Sequence, residues 1–99
     1  MAARVLLTPQ AEAEIEAIGD YIATDNQAAA LRMVRRLRGR CAALDTFPER
    51  GTRVGERHRA LVEGPYLIIY RVDPTTDPET VIIVTVVHGA RDWGQLGEW

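Results

Sequence analysis

The residues of this chain best equipped for chemistry or recognition are arginines, one histidine and one tryptophan: Arg53, Arg57, Arg59, Arg71, His88, Arg91 and Trp93. Guanidinium groups grip phosphate or carboxylate in a planar fork, and a histidine can carry a proton near neutral pH. Used as a nuclease set, His88, Arg91, Arg59 and Arg71 would hold a phosphate and move one proton. Used as a binding set, the same residues with Arg53, Arg57 and Trp93 make interface anchors, a role in which Arg and Trp are favoured. His58 stands among the first of these arginines and joins the contact candidates. All basic residues are Arg and none is Lys, so no lysine can serve as general acid or base. Two histidines thirty residues apart and a single cysteine form no metal-ligand spacing, and no metal or cofactor is expected.

These residues sit at the ends of recognisable elements. Tyr66-Leu67-Ile68-Ile69-Tyr70-Arg71-Val72 and Val81-Ile82-Ile83-Val84-Thr85-Val86-Val87 are β-branched and aromatic runs joined by a polar link with two prolines, and they predict a hairpin. The second run empties into His88-Gly89-Ala90-Arg91-Asp92-Trp93, with Gly89 suited to a turn. Tyr66 and Tyr70 share one face by their spacing, and Arg71 interrupts the other. Arg59-Ala60-Leu61-Val62-Glu63 predicts a third strand, turning at Gly64-Pro65, with Arg59 placed for contact or to hold a carboxylate, either Glu63 or one on a partner. Phe47 to Gly55 reads as a loop punctuated by Pro and Gly.

Arg4 to Leu7 predicts a short strand. Thr8 then caps a helix with Pro9 in its first turn, and Ala11, Ile15, Ile18 and Ile22 form its apolar stripe. Glu12, Glu14 and Glu16 favour its N-terminal dipole. Thr24-Asp25-Asn26 breaks that helix and caps a second one running to about Leu44, with Ala30, Met33 or Val34, Leu37, Cys41 and Leu44 buried. Two helices joined so tightly pair antiparallel, bringing Arg36, Arg38 and Arg40 toward Glu12 and Glu16. The expected architecture is α+β, β-α-α-β-β-β, with an antiparallel sheet of four strands on a helical hairpin. The sheet's second face is also apolar in places, so a partner is expected to cover it.

Ninety-nine residues suit one domain spanning 1–99, and 46% hydrophobic content suits a folded chain. No apolar run has the length of a secretory leader's core or a membrane span. A lone Cys41, in a helical apolar pattern, fits a buried small side chain and a reducing, cytoplasmic setting. Charge is segregated: net −4 over residues 1–31, +6 over 32–59 and −4 over 60–99. That split suggests a basic surface for an acidic partner, while the overall net charge of −2 argues against sequence-independent nucleic-acid binding.

Taken in order, Tyr21-Ile22-Ala23, Asp25-Asn26, Leu44 with Phe47-Pro48, Gly51, Arg59-Ala60-Leu61, the Tyr66–Val72 strand and His88-Gly89-Ala90-Arg91 resemble the ParE branch of the RelE/ParE toxin superfamily over nearly the whole chain. The resemblance implies the toxin of a type II toxin–antitoxin module, neutralised by a ParD-like antitoxin and acting on DNA gyrase. It implies no direct sequence-specific binding of nucleic acid by the toxin alone. Two other activities fall within the resemblance. RelE-like members cleave mRNA on the ribosome, and a non-toxic relative would act only as an antitoxin-binding co-repressor. The RelE pattern uses Lys and Arg with a Tyr near the C-terminus. This chain has no Lys and no Tyr after Tyr70, which favours a gyrase-binding inhibitor over a catalyst.

Overall fold

A computed structural model describes residues 2–89; Arg91 and Trp93 lie outside the described residues. Strand β1 (Arg4–Leu7) leads into helix α1 (Pro9–Ala23), then α2 (Gln27–Ala42) and a 3-10 turn at Ala43–Asp45. Four strands follow: β2 (Thr52–Val54), β3 (His58–Glu63), β4 (Tyr66–Asp73) and β5 (Thr80–His88). The sheet runs in the order β1-β5-β4-β3-β2. This is the expected α+β class, with two differences from the expected sheet. It has five strands, because Thr52–Val54 pairs antiparallel with β3, and it is mixed, because β1 lies parallel to β5. A three-residue strand between glycines is too short to show periodicity. The chain between β1 and β5 includes both helices, long enough for a crossover that permits a parallel pair.

The helices begin where their caps dictate. Thr8 Oγ1 accepts the Ala11 N–H at 3.1 Å and donates to the Val84 carbonyl at 2.8 Å, tying the helix start to β5. Asn26 caps α2 through the Ala29 N–H at 3.0 Å. Thr8→Ala is expected to cost about 1–2 kcal/mol, measured by urea unfolding, because it removes both the cap and the strand tether.

Ala11 and Ile15 of α1 and Leu37 and Cys41 of α2 pack with Leu44 on one sheet face, against Leu61, Tyr66, Ile68, Tyr70, Val81, Ile83 and Val86. A bulge makes that face continuous. Ile69 lies opposite Thr85 but Tyr70 lies opposite Ile83, so Val84 is the extra residue. On the other face Leu67 and Ile69 are buried with Ala60 and Val87 around them. The expected open apolar face is therefore confined to its margins, where Val62 is 60% exposed and Leu6 is 51% exposed. Gly64 turns β3 into β4 with φ of 57°, a conformation that favours glycine.

Of the expected helix-to-helix ion pairs, Arg38 reaches Glu12 at 2.9 Å. Arg36 and Arg40 turn instead to Glu63 on β3. These pairs are largely solvated on the arginine side and contribute little each. Their effect is to lash α2 to the sheet.

Candidate functional site

The sheet register decides which candidate residues can act together. His88 lies opposite Tyr66, and their rings meet edge to face at 5.6 Å. Arg59 lies opposite Tyr70, and Arg71 opposite Ile82. At about 3.3 Å per residue, Arg59 and Arg71 stand roughly 13 and 17 Å along the sheet from His88. The structure thus brings Arg53, Arg57, Arg59 and Arg71 to one end of the sheet and His88 to the other. Gly89 follows His88 without a positive φ, and its N–H donates to the Pro65 carbonyl at 2.8 Å.

At the arginine end the four guanidinium groups have different fates. Arg59 Nη1 donates to the carbonyls of Glu49 at 3.0 Å and Gly51 at 2.9 Å. It therefore fastens the loop before β2, and the expected Arg59–Glu63 pair does not form because four residues of extended strand hold the two about 13 Å apart, with Glu63 meeting α2 instead. Gly51 N–H in turn donates to the Tyr70 hydroxyl at 2.8 Å. Burial raises the Tyr70 pKa, so this phenol stays neutral. Arg53 donates only to the Glu56 carbonyl, at 3.3 Å. Arg57 is exposed and Arg71 half-buried, and among the described residues neither has a hydrogen-bond or ion-pair partner.

One step beyond the last β3–β4 pair, His58 and Arg71 come side by side. Burial lowers the His58 pKa, and Arg71 and Arg57 lower it further. The imidazole is neutral at pH 7 and adds no charge to the cluster. It is also harder to protonate in the fold than in the unfolded chain, so its contribution to stability is lost as pH falls below 6.5. Arg53, Arg57, His58 and Arg59 line a depression of about 220 Å³ whose other walls include Glu49, Glu56 and Glu79. Three carboxylates among the cations give this depression a mixed charge, unlike a phosphate cradle.

Two further surfaces escaped the sequence reading. Between α1 and α2 runs a groove of about 490 Å³, floored by Gly19, Ala23, Ala30 and Val34, walled by Leu31 and rimmed by Glu16 and Asp20. Tyr21 and Leu31 are largely exposed, and the signal was present in their falling off the two helical stripes. The other surface is the loop at Phe47, an exposed aromatic outside both apolar clusters.

Cys41 is buried, and burial pushes its thiol up to about 11. Alkylation by iodoacetamide at pH 8 is expected to be slow in the native protein and rapid in urea, because the thiolate is the reactive form. Among the described residues no cluster of His, Cys, Asp or Glu could hold a metal ion.

A helical hairpin laid on one face of a mixed sheet in this strand order defines the RelE/ParE-like fold. A chain of the chromosomal ParDE TA system from P. aeruginosa superposes with a TM-score of 0.71, covering 88% of this chain and 96% of that one at 19% identity. The model of the ParE toxin of the type II toxin–antitoxin system parDE matches residues 5–93. The chain belongs to that family. Toxin RelE2 of Caulobacter vibrioides is 39% identical over 90 residues, which are 90% of this chain and 98% of that protein. The protein Y4kP of Sinorhizobium fredii is 34% identical over 97 residues, covering 94% and 95%.

Proposed function

We propose that this toxin inhibits DNA gyrase by binding the enzyme and stabilising its cleaved-DNA state, and that a ParD-like antitoxin in the same cytoplasm neutralises it. The observation that carries a binding mode over catalysis is the separation of His88 from Arg59 and Arg71, with Arg59 spent on loop carbonyls. A proton carrier that far from its phosphate-binding partners cannot share one scissile bond with them. A gyrase poison needs only unequal affinity for two states of its target. Arg53, Arg57 and Arg71 form the target face in this reading. The groove between the helices suits an antitoxin segment bearing apolar and basic side chains, against its apolar floor and the acids Glu16 and Asp20.

The test is supercoiling of relaxed plasmid by purified gyrase, titrated with the toxin. Dose-dependent inhibition with accumulating cleaved DNA, reversed by antitoxin, is the expected result. Arg57→Glu with Arg71→Glu is expected to weaken inhibition at least about 10-fold, with unfolding changed by less than about 1 kcal/mol because neither side chain has a bonded partner among the described residues. Indifference of gyrase to excess toxin would reject the proposal. A second reading, ribosome-dependent cleavage of mRNA, draws on the name of the Caulobacter relative. New transcript ends after induction would establish it in place of the first.

A further inference from the structure

We infer that Phe47 is a pre-set aromatic anchor by which the toxin engages an apolar pocket, rimmed by basic side chains, on its protein target. The inference rests on the proposed target-binding mode and adds the residue that seats it. Isolated exposed apolar side chains are ordinary on protein surfaces. Phe47 combines two unfavourable features at one position. Its side chain is 76% exposed, and its backbone has φ of 53°, the left-handed region that a bulky residue rarely occupies. Glycine or asparagine would make the same turn with less strain and without presenting a ring to water.

The surrounding loop fixes this arrangement. The Arg50 backbone N–H donates to the Phe47 carbonyl at 3.1 Å, and its Nε donates to the same oxygen at 3.3 Å. Arg50 Nη2 reaches the carbonyls of Ala43 at 3.2 Å and Thr46 at 2.5 Å. Arg50 thus closes the chain on both sides of Phe47 and leaves the ring pointing away from the core. A backbone turn already fixed in its bound shape leaves only the ring's own rotamers to be ordered on docking, which lowers the entropic cost of an anchor.

Position and charge select the partner. Phe47 shares a depression with Asp45, Pro48 and Glu79, and Glu79 also lines the neighbouring depression that holds Arg53, Arg57 and His58. The ring therefore stands at the same end of the molecule as Arg53 and Arg57. Its flanks carry three acids, Asp45, Glu79 and the nearby exposed Glu49, against one cation, Arg50, whose donors are turned to the carbonyls of Phe47, Ala43 and Thr46. Those carboxylates repel a phosphate backbone and match a basic protein rim, so the ring's receptor is protein rather than nucleic acid.

The experiment compares wild type and Phe47→Gly in three measurements: growth arrest on induction, inhibition of purified gyrase, and thermal melting. Loss of an anchor predicts relief of growth arrest and at least about 30-fold weaker inhibition. Relief of the left-handed strain predicts melting no lower than wild type, the reverse of what a merely structural phenylalanine would give. Phe47→Gly that arrests growth as wild type does would overturn the inference, and so would lost toxicity accompanied by a lower melting temperature. A wild-type chain that arrests nothing would overturn it too, because no target would then be engaged. Relief of growth arrest by Phe47→Gly, with gyrase indifferent to wild type, would keep the anchor and reject gyrase as its receptor.

Discussion

Gly51→Ala is expected to destabilise the toxin by about 2–4 kcal/mol, the sum of overpacking and a disturbed buried hydrogen bond. A Cβ on Gly51 would stand 2.6 Å from the Tyr70 hydroxyl, 2.9 Å from Tyr70 Cε1 and 2.9 Å from the Ala60 carbonyl oxygen. None of these neighbours is the loose end of a flexible chain. Tyr70 is fully buried between the helices and the sheet, and Ala60 is in the β3 backbone. The same displacement would break the bond from Gly51 N–H to the Tyr70 hydroxyl and pull the Gly51 carbonyl from Arg59. Chemical unfolding of Gly51→Ala, Tyr70→Phe and the double variant measures the coupling. Tyr70→Phe alone should cost about 1–2 kcal/mol by leaving a buried N–H without its acceptor. In the double variant the missing hydroxyl returns part of the space, so the two costs should sum to more than the double variant loses. Strict additivity would mean that Gly51 is not pressed against the phenol.

That cluster also marks where the sequence was legible. Gly51 stands out as loop punctuation and Arg59 as the first charge of a strand, but their bond is long-range and neither spacing nor type announces it. Arg59 has a carboxylate four residues away in Glu63, and local reasoning pairs them. The fold gives Glu63 to Arg36 and Arg40 instead, because β3 runs under α2. The start of α1 was readable at Thr8 and that of α2 at Asp25 or Asn26, of which the fold uses Asn26, since both caps act through the adjacent turn. The hairpin of β4 and β5 was readable because β-branched density survives any register. The parallel placement of β1 was not, because it depends on where the helices return the chain. His88 and Arg71 seemed able to cooperate only until the register put them at opposite ends.

For the proposed function, the two partner-type surfaces have different physics. The groove between the helices is apolar with an acidic rim, and the Phe47 end combines one ring with Arg53 and Arg57. A toxin held by one protein and directed at another gains from surfaces that do not overlap, because each can change without loss of the other. Gly19, Ala23 and Ala30 have small side chains that leave the groove open enough for a helix or strand to lie in it. The Phe47 end offers a point contact for a preformed pocket.

The last prediction separates three acids that are alike in sequence. Glu12, Glu14 and Glu16 alternate along α1, and only Glu12 falls in the first turn, where the helix dipole acts. In the fold only Glu14 reaches the sheet. Its carboxylate accepts the Val86 backbone N–H at 3.0 Å and the Thr85 hydroxyl at 2.5 Å, beside the bulge where β5 has run past the end of β1. An unpaired edge N–H there would be partly buried under α1, so the side chain completes the ladder that β1 is too short to supply. Glu14→Ala should therefore cost about 2–3 kcal/mol at neutral pH, the usual worth of a hydrogen bond to a charged acceptor with its donor left unmet. Glu14→Gln, which keeps an acceptor oxygen but not the charge, should recover roughly half. Glu12→Ala loses only a solvated pair with Arg38, and Glu16→Ala loses a groove-rim charge, so each should change stability by less than about 0.5 kcal/mol. Urea midpoints of the four variants decide it. Equal, small shifts for all three alanine variants would mean that water serves the β5 edge as well as Glu14 does, and that α1 is held to the sheet by its apolar stripe and Thr8 alone.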